Sequence, residues 1–309
     1  MKRVLILVLI LLSSLPAFAT AWTATQAGNW GRTSNNADSP WYDNGAQSAL
    51  SAIPVAGDSV ALASFVVVWD ATAGTRIPAT GTLTAITAAT TGQISIVATL
   101  DIFHTPGCEL YSTTMTAGTA HLINITGESG TTHVITIVGN SNGGSSAGIH
   151  GILHNSSCTL IYIGNPTGMS GHGLMLYSSG PATVTGTSTG SGTTNSMYGI
   201  RHSGSGLLTV VGNSAGGARV GGHGIFMDST GALAINGGTI TGGTVANADG
   251  ISAEVNAAVT FTNCNLVNGT GANAAVAYSG RIPTWNNASD LNTITWANTG
   301  RSNIWVTQP

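Results

Sequence analysis

Arg201, Asp228 and Glu254 form the densest grouping of charged side chains in the sequence, recurring at intervals of 26 to 27 residues. His223 and Asp249 repeat the 26-residue interval slightly upstream. If that interval is a structural period, Asp228 and Glu254 lie one above the other, with Ser203 beyond them and Arg201 on the preceding layer. Carboxylates held that close raise one another's pKa or invite a cation. A carboxylate pair is also the usual equipment for acid/base chemistry on glycosides. Arg201, Asp228 and Glu254 are therefore the catalytic candidates if the protein is an enzyme. Tyr198, His202, His223 and Asp249 flank them as candidate ligand-binding residues. The same spacing has a plainer explanation, an ordinary solvated ladder of charges on a repetitive surface.

The remaining chemistry-bearing residues follow the same period. His150, His172 and His223 each precede a glycine, and Tyr198 and Asp249 fill the equivalent position elsewhere. His154 and His202 share another register, with Leu176 between them. Only His150 and His172 are adjacent in the first set, and no carboxylate lies beside them. A turn residue repeated because the chain repeats explains these histidines without a ligand. The three cysteines, Cys108, Cys158 and Cys264, have no zinc-ligand spacing. Cys108 and Cys158 are 50 residues, or two periods, apart, which puts them roughly 10 Å from one another, beyond a disulfide's reach. Three unpaired thiols, mostly buried, are expected. No metal site and no cofactor is expected; calcium is the cation the carboxylates would attract, without a calcium motif to hold it.

Lys2 and Arg3, the apolar run Val4 to Leu12 and the small-x-small pattern Ala17-Phe18-Ala19 read as a signal peptide. Cleavage falls after Ala19, or after Ala21 in the Ala19-Thr20-Ala21 frame. The run is too short to span a bilayer, so the expected protein is secreted or on the cell surface, with the periplasm as the alternative, and has no membrane span after cleavage. Beyond the leader there is no lysine, and six arginines face the eleven acidic residues, a net charge of −5 with histidines neutral. Only 6% of residues are charged, against roughly 25% in an average globular protein. Nucleic-acid binding needs a basic stripe to neutralise phosphates, and this chain has none. Apolar residues still reach 42% and alternate in short runs between Gly, Asn, Ser and Thr, the strand-and-turn pattern of an all-β protein.

Two sets of glycines define the elements that must position these residues. Gly139, Gly164, Gly186, Gly212 and Gly237 close alternating strands, and Gly151, Gly173, Gly199, Gly224 and Gly250 open others. From each second-set glycine to the next first-set glycine is 13 residues; the return varies over 12, 9, 13, 12 and 13. Adding 13 to Gly250 reaches Asn263, where the pattern continues without its glycine. One rigid half and one elastic half is what a parallel β-solenoid with coils of about 25 residues requires, because the rigid half must stay in register with its neighbours. Period-two reading predicts three interior columns: Ile135, Leu160, Ala182, Leu208, Leu233, Val259; Ile137, Tyr162, Val184, Val210, Ile235, Phe261; and Ile152, Leu174, Ile200, Ile225, Ile251, Val276. Thr136, Ile161, Thr183, Thr209, Ala234 and Thr260 face outward. A short third strand per coil, such as Thr239 to Thr241, makes the coil three-sided.

The turns Gly139-Asn140, Gly164-Asn165 and Gly212-Asn213, with the Gly-Ile and Gly-Leu strand openings, resemble right-handed parallel β-helix proteins of the pectate-lyase-like superfamily. Handedness comes from this resemblance, which concerns architecture and not a shared reaction. It implies that a site, if present, lies on an outer coil face. Enzymes of the superfamily it resembles use several Asp residues or a Lys/Arg base, a denser set than this chain offers. Pro54, Gly57, Asp58 and Val60 resemble the entry segment of bacterial surface solenoids. Six of the seven tryptophans lie in the terminal segments, as expected for covers over exposed coil ends; sugar stacking is the other role for such rings. The organisation read is signal peptide 1–21, N-terminal cap 22–54, single-domain β-helix 55–280 and C-terminal cap 281–309.

These features point first to a non-catalytic structural or adhesive solenoid that binds polysaccharide or a cell-surface glycan and can self-associate. The alternatives are a polysaccharide lyase or glycoside hydrolase working through Arg201, Asp228 and Glu254, or an ice-binding-like solenoid. For the last, Thr183-Val184-Thr185 and Thr260-Phe261-Thr262 fit a threonine face, but the coils between them break it.

Overall fold

The computed structural model describes residues 19–30, 40–43, 53–55, 57–70, 76–77, 83–88, 93–98, 107–127, 134–192, 195–245, 247–253, 257–267, 269, 276–278, 284–285 and 291–295. Among these residues there is no helix. The strands form one 17-stranded and one 10-stranded sheet, and every pairing is parallel except that of Ala21–Ala24 with Trp41–Asp43. The chain is a parallel β-solenoid with coils of roughly 26 residues.

The three interior columns stack in the predicted register. Ile135 pairs with Leu160, which pairs with Ala182, Leu208, Leu233 and Val259 in turn. The same strands carry Ile137, Tyr162, Val184, Val210, Ile235 and Phe261 at equivalent positions, and all are buried. In the smaller sheet Ile152, Leu174, Ile200, Ile225, Ile251 and Val276 are successive partners. This column continues the other way through Ile123, Ile94 and Val67. Each fully buried aliphatic side chain contributes about 2 kcal/mol by leaving water. Because the side-chain period is two, a one-residue slip would expose whole columns, so the stacks fix which residues face out.

Some coils have three strands, such as Leu233–Asn236, Thr239–Thr241 and Ile251–Ala253, whereas in others the first two run together through the corner, as in Ala182–Thr189 and Leu208–Ala215. Glycine turns the larger sheet between the first two. Gly186 and Gly212 have φ of 140° and 130°, and a Cβ on either would overlap the carbonyl oxygen of the preceding corner glycine. The asparagine beside the corner supplies the next bond. Asn140 Oδ1 accepts from Asn165 N at 3.0 Å and Asn165 Nδ2 at 2.9 Å. Asn165 Oδ1 accepts from Thr187 N at 2.8 Å, and Asn213 Oδ1 from Thr239 N at 2.8 Å. The Gly-Asn motif is thus a corner plus a side-chain ladder.

One corner departs from the spacing rule. Val211 pairs with Asn236, but Ser214 pairs with Ile240, so the fifth coil carries one extra residue at its corner. Gly238, not Gly237, is the residue whose Cβ would overlap the Gly212 carbonyl. The next coil keeps the insertion, with Asn263 at φ 54° in the place of Gly237 and Cys264 in the place of Gly238. Asparagine tolerates this left-handed conformation better than most residues, which explains why the pattern continues there without glycine.

At the N-terminal end, Ala21–Ala24 stacks in parallel on Ser59–Ala61, and Gly28–Asn29 on Val67–Val68. A first rung therefore lies within the segment read as a cap, covered by the antiparallel strand Trp41–Asp43. Trp30 and Trp41 meet edge to face at 4.5 Å, and Trp41 Nε1 donates to the Trp30 carbonyl at 2.8 Å. Parallel stacking also continues into Thr284–Trp285 and Leu291–Thr295. Trp296 and Trp305 lie outside the described residues, as does the leader up to Phe18.

Candidate functional site

The residue two positions before each stacked Ile or Leu of the smaller sheet ends the variable half of the coil. Stacking at that position produces a continuous column of rings. His121 and His150 lie 4.7 Å apart, His150 and His172 4.6 Å, and His172 and Tyr198 4.7 Å, with planes within 18° of parallel. Tyr198 and His223 follow at 5.3 Å. Phe226 leans in from the neighbouring strand, 4.4 Å from Tyr198 and 5.7 Å from His223. The rings from His150 to His223 are all buried.

A second set of bonds runs along the column. His121 Nδ1 accepts the backbone N–H of His150 at 3.1 Å, and His150 Nδ1 that of His172 at 3.3 Å. His172 Nδ1 accepts from Tyr198 at 3.0 Å, and His223 Nδ1 from Asp249 at 2.9 Å. An accepting Nδ1 carries no proton, so His121, His150 and His172 each hold their proton on Nε2. Burial pushes His150 down to about 2, helped by its neighbours His172, His121 and Arg201. Burial and Arg201 hold His172 at about 3, opposed by Asp228. Asp249 closes the column with Oδ2 3.5 Å from His223 Nδ1.

Beside the column, Met175, Arg201, Phe226 and Ser252 occupy one outward register of the smaller sheet. Arg201 Nε and its terminal nitrogen Nη2 both donate to Asp228 Oδ2, at 3.1 and 2.5 Å. The guanidinium carbon is 5.8 Å from the Phe226 ring centre, within cation–π range. Asp228 and the tyrosines Tyr177 and Tyr198 act electrostatically on Arg201, raising its pKa against the opposing effect of burial. Tyr177 is 50% exposed. Asp228 Oδ1 and the neighbouring Ser203 Oγ are buried and have no hydrogen-bond partner among the described residues.

The structure thus brings Tyr198, Arg201, His223, Asp228 and Asp249 to one side of the solenoid, with Tyr198 and His223 in the ring column and Arg201 paired to Asp228. Glu254 lies outside the described residues. His202 points inward, 1% exposed, with Nε2 donating to the Gly206 carbonyl at 2.8 Å. Its column mate His154 is also interior, with Nε2 3.4 Å from Cys158 Sγ and 3.2 Å from Ser156 Oγ. Burial lowers His154 to about 4 and raises the Cys158 thiol. Thiol and imidazole are therefore both neutral, and both are sealed from solvent. Cys158 forms no disulfide, the Cys264 thiol packs against the carbonyls of Ile235, Gly237 and Thr262, and the side chain of Cys108 lies outside the described residues. Among the described residues no three His, Cys, Asp or Glu side chains gather into a metal-binding group.

Sequence reasoning missed two members of the site. His121 is followed by Leu122 instead of glycine, so the glycine pattern hid it; counting two back from Ile123 would have found it. Phe226 faces outward in the register of Arg201, and its contacts with Tyr198, His223 and Arg201, which spacing does not reveal, accompany its burial. No protein-family model matches the chain, and no curated protein or solved structure matches it.

Proposed function

We propose that the protein is a secreted or surface-associated, non-catalytic β-solenoid, structural or adhesive, that docks carbohydrate on the outer face around Tyr177, Arg201 and Asp228. The observation that carries this reading is the state of the reactive residues. Asp228 Oδ2 takes two hydrogen bonds from Arg201 and Asp228 Oδ1 is buried, and the column histidines have Nδ1 occupied by backbone N–H groups. A general base or acid must instead have its proton site open to substrate. A fixed guanidinium–carboxylate pair beside an exposed tyrosine is well suited to sugar hydroxyls and to the apolar face of a pyranose. We also assign the coil to the right-handed, pectate-lyase-like parallel β-helix class, on its Gly-Asn corners and Gly-Ile strand openings, and its export to the N-terminal leader.

Retention on a panel of insoluble and immobilised polysaccharides tests the docking face. Tyr177→Ala and Arg201→Ala should each weaken retention about tenfold, the loss of about 1.4 kcal/mol expected for a central contact. Thr209→Ala, on the outer face of the other sheet, should leave it unchanged. Equal retention of all three variants would remove this face from the account.

A further inference from the structure

Asp58 is 3% exposed, yet its carboxylate faces only neutral donors. Thr20 N donates to Oδ1 at 2.8 Å, and Trp22 Nε1 and Val55 N donate to Oδ2 at 2.7 and 2.8 Å. Among the described residues no Lys, Arg or His side chain pairs with it. A carboxylate withdrawn from water without a counter-charge is costly even when its hydrogen bonds are made. The three donors tie the first rung together, since Trp22 belongs to the strand that stacks on Ser59–Ala61.

One of these donors, Thr20 N, belongs to the residue that follows the small-x-small pattern Ala17-Phe18-Ala19. Ala19 is exposed and Thr20 half-buried. We propose that cleavage between Ala19 and Thr20 creates the missing counter-ion: the new α-ammonium of Thr20 pairs with buried Asp58 and locks the first rung. Water adds across the Ala19–Thr20 peptide bond, the leader departs with a carboxylate on Ala19, and Thr20 N becomes a protonated amine. No other reactant is needed. The geometry also separates the two frames left open by the sequence. Cleavage after Ala21 would remove Thr20 and Ala21, and with them the Thr20 N bond to Asp58, the Ser59 N bond to the Thr20 carbonyl at 3.0 Å and the Ala21–Ser59 pairing. The proposal rests on the leader being a signal peptide and is independent of the carbohydrate reading.

The test begins with the intact mass of the exported protein, which should correspond to a chain starting at Thr20. A start at Trp22 overturns the lock and keeps the leader; an uncleaved leader overturns both. The Thr20 form is then compared with its Nα-acetylated counterpart, which retains the N–H donor and lacks the charge. Acetylation should lower Tm by several degrees at pH 7 and make no difference in Asp58→Asn. An α-amine ordinarily titrates near about 8, and a carboxylate partner raises that value in the folded state. The stabilisation is therefore full below about pH 8 and lost as pH rises through the raised value. Tm of the Thr20 form should fall more steeply over that alkaline range than that of the acetylated form, which shows only the decline common to both. If Asp58→Asn does not fold, this alkaline comparison decides alone. Identical Tm values for the free and acetylated forms across pH would refute the lock.

Discussion

Gly186 shows how a single residue holds the corner. Its φ of 140° is one that side-chain-bearing residues rarely adopt, and its missing Cβ leaves room for the carbonyl of Gly164. Gly186→Ala should destabilise the protein by about 3 kcal/mol, combining backbone strain with overpacking. Urea unfolding measures this directly, and an unchanged midpoint would mean that the corner relaxes freely. The corners were legible because glycine recurs there, and the Asn ladder because Asn recurs beside it. Gly238 was not, since an inserted residue shifts the corner without altering the 13-residue interval to Gly237. His121 was hidden for a related reason: its neighbour Leu122 fills a place that glycine fills in later coils. The ion pair of Arg201 with Asp228 depends on side chains reaching across adjacent coils, which spacing alone does not specify.

Among the elements, the interior columns from Ile135 onward were legible, because period-two alternation determines which side chains enter the core, whereas the extension through Ile123, Ile94 and Val67 lacks the glycine spacing that marked the later coils. Ile200→Ala, in the middle of such a column and fully buried, should cost about 3 kcal/mol by transfer and cavity terms, again read by urea unfolding. The ring column makes a prediction of its own. His150 and His172 are held at about 2 and about 3, far below the ordinary value of about 6.5. The unfolded chain therefore takes up protons first as pH falls. The column's contribution is whole above about pH 6.5 and drains away as pH drops towards those folded values. Tm should be level between about pH 7 and pH 8 and decline as pH drops from about 6 to 4. His172→Tyr keeps a ring in the stack, as Tyr198 does naturally, and removes one titrating group. Its Tm should fall less steeply with acid than that of the unaltered protein, whatever its absolute value. Equal slopes would show that the column does not carry the acid sensitivity.

For the molecule as a whole, repetition divides the labour. The rigid half of each coil builds the core and an outer face of Thr136, Ile161, Thr183, Thr209, Ala234 and Thr260, none of them charged. The elastic half leads into the ring column, and the adjoining smaller sheet presents Arg201 and Asp228. Fold was readable because one period constrains residues along the whole solenoid; the ligand was not, because a few surface side chains decide it and the period does not constrain them. On the proposed function, this face binds carbohydrate without altering it. The most direct measurement incubates the mature protein with acidic and neutral polysaccharides, scoring retention together with release of reducing and unsaturated ends. Retention with no release above a protein-free control is the expected result. Release of either kind of end, abolished by Asp228→Ala in a variant that still folds, would contradict the claim and make the protein a hydrolase or a lyase.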